Sequence, residues 1–353
     1  LKIALVGSLV TDDEEWDTIN QITPAFVGIC GTDLHEYLGG PTFCPAHPHP
    51  VTGETIPVTL GHEFSGTIKE VGPGVDKLKV GQKCTVQPLI VCGECPACKV
   101  GAYNICHTVG FVGLSGQGGG LSDAVCVRAD RVFPLPDSVP LHLGALVEPL
   151  SVAWHAIEAA PDLDPDSFVL VIGGGPIGLA IVLCLRAKGV TDIMVSEVAA
   201  ARRNYAAQFG AKWVVDPTDT DVVADVNQKT NGTGADVTID CAGVPQSIEC
   251  ACTAVKTFGT IINVAIWEKG VSFNPNWLTF RETAYKSVLA YRDRDFASVI
   301  EGLSTGEHSL DSAIAPEGMI TSKIKLEDLV ERGFQSLIKD RETQVKILVD
   351  LSL

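Results

Sequence analysis

The sequence predicts an α/β protein in two parts: a doubly wound parallel sheet over residues 150–289 and a mostly-β region over residues 1–149. Three observations point there. The β-branched run "FVLVI" leads directly into a glycine-rich turn and a helix-like run at residues 168–185. Strand-like and helix-like segments then alternate, the pattern of a sheet with helices on both faces. Before residue 150 the chain is instead rich in Gly, Pro and short β-like runs, and the residues of metal-ligand type gather there.

Whole-chain properties fit this division. A chain of 353 residues has two globular domains as its natural prior, and 46% apolar with 20% charged residues is enough to bury a sizeable core. The formal net charge of -17 has the wrong sign for a nucleic-acid partner, whose phosphates are neutralised by Lys and Arg. The twelve cysteines are not spread as paired staples through a small scaffold, and no leader-like charged and apolar pair of regions is visible. The expectation is a cytoplasmic protein with reduced thiols. The 18 uncharged residues "FVLVIGGGPIGLAIVLCL" reach the length of a membrane span. Gly173, Gly174, Gly175 and Pro176 interrupt them, so a buried strand followed by a buried helix is the better reading, and no membrane partner is expected.

The turn itself carries chemistry. Gly173, Gly175 and Gly178 follow the G-x-G-x-x-G spacing, with Pro176 and Ile177 inside it. The first glycine permits a tight turn, the second lets backbone approach a pyrophosphate, and the third allows close helix-to-strand packing over a helix N-terminus with free N–H groups. Alone the pattern is weak. It gains strength from "DIMVSE", read as a second strand ending at Glu197, where such a dinucleotide-binding (Rossmann) fold carries an acid for the ribose hydroxyls. The strands continue at "KWVVD", "ADVTIDCAG", "GTIINVAI" and "YKSVLA", making six candidates. Glu197 has the alternative of a solvated strand end. Arg202 and Arg203 could contact a 2′-phosphate, but the carboxylate repels one, so NAD is favoured over NADP.

The first region holds "GICGTDLHE" (Cys30, Thr32, Asp33, His35), "GHEFSG" (His62, Glu63), "CGECPACKVGAYNIC" (Cys92, Cys95, Cys98, Cys106) and "LVEPLSVAWH" (Glu148). On these residues the chain resembles the zinc-dependent medium-chain dehydrogenases, in their polyol and 2,3-butanediol branch. Gly61, His62, Glu63, Gly66, Gly72 and Val75 follow the family's zinc signature in order, and "EYLGGP…HPHPVTGETIPVTLGHEFSG" is particularly like the butanediol enzymes. The resemblance runs from Phe26 onward; "LKIALVGSLVTDDEEWDTINQ" departs from it, lacking the alternating strands the family carries there.

What the resemblance implies is specific. The first part is a GroES-like catalytic domain over 1–149, completed by 290–353, and 150–289 is the NAD-binding Rossmann domain. Two Zn²⁺ ions are expected, one structural and one catalytic. Four thiolates at Cys92, Cys95, Cys98 and Cys106 fill a closed tetrahedral shell, so that ion catalyses nothing; a disulfide pair is the rival reading, disfavoured in a reducing compartment. The catalytic ion falls to Cys30, His62 and Glu63, with Glu148 as an additional or water-bridged ligand and Asp33 on the far nitrogen of His62. One thiolate and one carboxylate balance the charge of Zn²⁺. Thr32 is implied to pass the substrate's proton through its hydroxyl and the nicotinamide ribose to His35 and solvent, and Arg202 joins Gly173, Gly175, Pro176, Ile177, Gly178 and Glu197 among the cofactor-binding residues.

The implied activity is NAD-dependent, zinc-dependent, reversible oxidation of a vicinal secondary diol, 2,3-butanediol to acetoin, by a homodimer or homotetramer. Sorbitol or L-threonine dehydrogenase is the alternative on the same metal site. A non-catalytic zinc-ribbon interaction module is the alternative of another class, and it leaves the glycine turn idle. His47 and His49 in "CPAHPHP" read as part of a rigid lid loop, Cys241 as a packed strand-end residue, and Trp154 with His155 as residues of a helix linking the domains.

Overall fold

The computed structural model describes residues 19–267, 269–304 and 314–353, so all of the atypical amino-terminal segment before residue 19 lies outside the described residues. Strand β1 (Ile19–Gly28) is followed by helix α1 (Gly31–Gly39), then by β2 (Glu63–Val71), β3 (Lys83–Val86), β4 (Leu89–Ile90), β5 (Gly110–Phe111), β6 (Val125–Arg128) and β7 (Val132–Pro134). Helix α2 (Val147–Glu158) precedes the alternating region of β8 (Val169–Ile172), α3 (Pro176–Ala187), β9 (Ile193–Ser196), α4 (Ala200–Gln208), β10 (Trp213–Val215), α5 (Val222–Lys229), β11 (Ala235–Asp240), α6 (Pro245–Ala254), β12 (Val255–Asn263) and β13 (Ala284–Ser287). After it come α7 (Asp293–Ser304), β14 (Ile320–Ile324) and β15 (Lys346–Asp350).

One compact unit takes the residues up to Glu148 with Arg292–Ser304 and Ile320–Leu353. Its sheet has seven strands in the order β14-β15-β1-β2-β3-β7, with β6 also on β1. Neighbours are antiparallel except β14 and β15. Pro24, which offers no N–H to a ladder, sits at a register shift of β1. Ile22, Phe64, Ile68, Cys84, Val86, Ile347 and Val349 form the buried core.

The other unit takes Pro149–Tyr291 and the described part of Thr305–Met319. Its six strands are all parallel, in the order β10-β9-β8-β11-β12-β13. Burial on both faces explains why β8 reads as an unbroken apolar run. The 18-residue uncharged stretch is thus β8 plus α3, with Gly175 as N-cap and Pro176 in the first turn, where its missing N–H costs nothing. No helix among the described residues is long and apolar enough to cross a membrane.

Two sequence expectations shift. Strand β9 ends at Ser196, so Glu197 is the first residue beyond the strand, free to turn its carboxylate toward the glycines. Residues near 314–319, assigned from the sequence with everything after 290 to the first domain, belong with the second unit. Met319 is fully buried and Gly318 lies against the Phe209 ring, anchoring that short turn there.

Candidate active site

The cysteine lobe is shaped by local backbone. Cys95 caps the short helical turn Pro96–Lys99, Cys98 sits within it, and Cys106 follows the 3-10 turn Tyr103–Ile105. Gly93 and Gly101, at φ of 76° and 72°, reverse the chain on either side in the left-handed region that favours glycine. The four sulfurs lie within 4.8 Å of one another, and Cys92 Sγ is 3.5 Å from Cys106 Sγ. A tetrahedral Zn²⁺ with bonds of about 2.3 Å sets sulfurs about 3.8 Å apart, whereas a disulfide needs about 2.05 Å. All twelve cysteines are free thiols. Backbone N–H groups of His107 and Cys98 donate to Cys95 and draw its thiol down to about 6, favouring the thiolate that metal binding requires. The cluster fits a closed zinc shell.

The second cluster is built differently. Cys30 ends the run out of β1 and caps α1, while His62 directly precedes β2 and Glu63 opens it. Pairing of β1 with β2 sets Gly28 opposite Glu63, and a Cβ on Gly28 would overlap the Glu63 Oε2 atom. Gly61, at φ 100°, has Leu121 N and Val27 against the place of its Cβ, and a Cβ on Gly66 would strike the Thr23 carbonyl. Gly28 and the signature glycines Gly61 and Gly66 are thus clearance for the site and its sheet. One ligand atom each from Cys30, His62 and Glu63 lies within 4.8 Å of the others.

Asp33 organises two of the three. Its Oδ2 accepts the Cys30 N–H at 2.9 Å, and its Oδ1 faces His62 Nδ1 at 3.5 Å. Both facing atoms are buried with no closer hydrogen-bond partner, which leaves Nε2 as the imidazole donor for a cation. Burial opposes charge on His62, but Asp33 and Cys30 hold its pKa well above the ordinary value, so a proton competes with a metal there. Thiol, imidazole and carboxylate converging on one point form a donor set suited to zinc.

Sequence reasoning missed Lys346. Its ammonium donates to both Glu63 oxygens, at 2.8 and 2.7 Å, and to the Ile29 carbonyl at 3.3 Å, all deep in the unit. Burial works against the ammonium, yet Glu63 and then Cys30 raise its pKa, so it stays charged. A carboxylate has lone pairs for both an ammonium and a metal. The charge balance read from the sequence is therefore incomplete: a cation on the sheet side adds to the ion's own charge. A lysine opening the wholly buried strand "KILVD" was the available signal.

Glu148, buried in the first turn of α2, is not one of the three converging residues, although its charge reaches Lys346. Thr32 Oγ1 lies 3.6 Å from Cys30 Sγ, and His35 is exposed one turn farther along α1. His49 Nδ1 accepts the Val51 and Thr52 N–H groups at 3.3 Å, which gives that histidine a loop-shaping role. His47 and His49 belong to neither converging metal-type cluster found among the described residues.

At the glycine turn, Gly173 has φ 100°, and a Cβ on Gly178 would collide with the Gly173 carbonyl. Gly175 faces open space, the nearest atom to its absent Cβ being Arg202 Nη1 at 3.9 Å. That opening and the guanidinium suit a pyrophosphate on the N-terminus of α3, where Pro176 and Ile177 follow. Glu197 is buried, its Oε2 accepting Gly174 N–H at 2.7 Å and its Oε1 accepting Ala199 N–H at 2.8 Å. It is not a solvated strand end. Arg203 is committed to the Glu197 and Val198 carbonyls and to Asp216.

Comparison with known proteins agrees with this geometry. Residues 20–137 match the alcohol dehydrogenase GroES-like domain, and residues 176–305 match the zinc-binding dehydrogenase domain. The (R,R)-butanediol dehydrogenase of Bacillus subtilis (strain 168) is 43% identical over 331 residues, 93% of this chain and 91% of that protein. The (R,R)-butanediol dehydrogenase of Neisseria gonorrhoeae (strain ATCC 700825 / FA 1090) is 40% identical over 335 residues, 94% of this chain and 92% of its own. The crystal structure of 2R,3R-butanediol dehydrogenase from Bacillus subtilis matches with a TM-score of 0.87 at 41% identity, covering 97% of this chain and 95% of that one. With two clusters that fit zinc, a dinucleotide turn and these likenesses along nearly its whole length, the chain belongs to the zinc-binding alcohol dehydrogenase family.

Proposed function

We propose that this protein catalyses the reversible, NAD-dependent oxidation of a vicinal secondary diol, 2,3-butanediol to acetoin, at the Cys30, His62 and Glu63 cluster. The observation that carries the reading is the convergence of those three different donors, with Asp33 behind His62, apart from a separate four-cysteine shell. When bound, Zn²⁺ supplies a Lewis acid that acidifies an alcohol and NAD⁺ supplies the hydride acceptor.

The chain's own residues do the rest. Cys30, His62 and Glu63 hold the ion, with Asp33 fixing the imidazole tautomer, while Cys92, Cys95, Cys98 and Cys106 hold the structural ion. Glu148 adds a carboxylate at the edge of the site, as an additional or water-bridged ligand. The Thr32 hydroxyl takes up the substrate's proton, and exposed His35 releases it to solvent. Glu197 orients the ribose by its hydroxyls, and its fixed negative charge disfavours a 2′-phosphate. Gly173, Gly175, Pro176, Ile177, Gly178 and Arg202 seat the pyrophosphate.

A vicinal diol suits this site because its second hydroxyl offers a further polar contact, and removing it leaves a group in the site unpaired. The loss is about 1–3 kcal/mol, or roughly 5- to 150-fold in kcat/KM. The test is kcat/KM with NAD⁺ and with NADP⁺ for each stereoisomer of 2,3-butanediol, for 2-butanol, sorbitol and L-threonine. The (R,R) isomer with NAD⁺ is expected to be best, since the relatives carry that stereochemistry in their names. Equal use of 2-butanol, or better use of sorbitol or threonine, overturns the diol reading.

A further inference from the structure

Residues 40–57 make an excursion between α1 and β2 that neither metal cluster nor the cofactor turn explains. Its first stretch is gathered onto one carboxylate. Glu36, in the last turn of α1, accepts the N–H groups of Thr42, Phe43 and Cys44, and the Thr42 hydroxyl as well. Gly40 leaves the room this requires, because a Cβ there would meet Glu36 Oε2 at 2.5 Å and the Glu36 carbonyl at 2.7 Å. The far end is tied separately. Glu54 Oε1 accepts the Gln117 N–H at 2.7 Å, and the Thr52 hydroxyl donates to the Ser115 carbonyl at 2.9 Å.

Between these ties one side chain turns inward. Cys44 is only 7% exposed, in a stretch whose other residues are exposed or half-buried. Burial, then the charge and hydrogen bond of Glu36, then the charge of Asp33, push its thiol up to about 12, with His62 acting the other way. Cys44 is thus turned inward where the chain folds back onto Glu36, on the helix whose Asp33 supports His62. Helix α1 carries both carboxylates three positions apart, on one face: Asp33 for the ligands and Glu36 for the strap.

We propose that Glu36 is a positioning residue for the reaction: by fastening Thr42–Cys44 it seats Cys44 beside the Asp33–His62 pair and keeps water away from that pair. Dry surroundings strengthen the hold of Asp33 on the imidazole, whereas water entering there would compete for both atoms. The effect on turnover rests on the function proposed above; the seating of Cys44 does not.

The test uses the full-length, zinc-loaded protein and the Glu36→Gln variant, which keeps the side chain's size but replaces a charged acceptor by an amide. Alkylation by iodoacetamide is followed residue by residue by mass spectrometry, with zinc release to a chelator and kcat and KM measured alongside. Cys44 should be alkylated about ten- to a hundredfold faster in the variant, the opening that loss of charge-assisted bonds allows. The Cys30-site zinc should leave faster while the four-cysteine zinc is unchanged. Glu36→Asp should restore part of the protection, and Glu54→Gln at the far tie should leave Cys44 protected. In the wild type, hydrogen exchange at the Thr42, Phe43 and Cys44 amides should be slow relative to the next residues, a readout that survives if the variant fails to fold. Unchanged Cys44 reactivity, equal exposure by Glu54→Gln, or fast exchange at those three amides would each overturn the assignment. Absence of diol activity with Cys44 still protected by Glu36 would instead fault the functional reading alone.

Discussion

The two sulfur-bearing clusters sit in the same sheet-based unit and solve opposite problems. In the lobe, four thiols converge from a single fifteen-residue loop, with backbone N–H groups donating to them. At Cys30 one thiol, one imidazole and one carboxylate come from two segments joined by the β1–β2 register; Cys30 is half-buried, while His62 and Glu63 are buried and face Asp33 and Lys346. Backbone N–H donors offset the charge of four thiolates around one dication, whereas the buried imidazole and carboxylate are held by paired side-chain charges. The difference teaches that leaving a position open for substrate constrains more of the fold than filling all four.

The largest contrast should come from removing one donor at each site. His62→Ala is expected to lower kcat/KM for the diol by on the order of 10³-fold, the several kcal/mol of Lewis-acid stabilisation it supports, with the far-UV circular dichroism unchanged. Cys98→Ala should do the reverse, lowering the melting temperature and yield because it opens a shell that folds the lobe. Steady-state kinetics beside thermal melts would show this, and equal kinetic losses with equal melts would erase the distinction.

Lys346→Met tests the side-chain charge pairing found at the Cys30 site. With one partner gone, Glu63 is left as an unpaired buried charge, a loss of about 3–5 kcal/mol in the metal-free protein. Bound zinc supplies a replacement cation, so denaturant unfolding should show a markedly smaller loss for the zinc-loaded variant. A loss of the same size with and without zinc would mean that Glu63 and the ion do not share one site.

Gly28→Ala sharpens the comparison on a smaller scale. Its Cβ would intrude on Glu63, whereas Gly93 and Gly101 in the lobe have nothing within 4 Å of theirs. Overpacking at Gly28 should cost about 1–3 kcal/mol and weaken zinc at the Cys30 site alone. Metal content of the purified variant checks it.

How much of this was legible in the sequence follows from distance along the chain. The glycine turn, the six strands and the four-cysteine loop are local patterns, each enforced by a backbone clearance or a fixed spacing, and they could be read directly. Cys30, His62 and Glu63 were legible only as an ordered set, since each residue alone has an ordinary structural role. Lys346 lies 283 residues from Glu63, and no periodicity connects them. The Glu36 clamp is local, but a carboxylate late in a helix looks like a solvated residue until the loop beyond it turns back. The turn at Pro316–Met319 was misplaced because strand and helix patterning does not say which core a short turn joins.

The most direct measurement of the central claim is a chelator time course on the zinc-loaded protein, with zinc release, diol activity and circular dichroism followed together. Two zinc ions per chain should be lost, in two phases. The first should carry away the activity and leave the fold in place; the second, slower phase should bring unfolding of the cysteine lobe. Activity that survives the first phase, or a single phase in which metal, activity and structure disappear together, would contradict it.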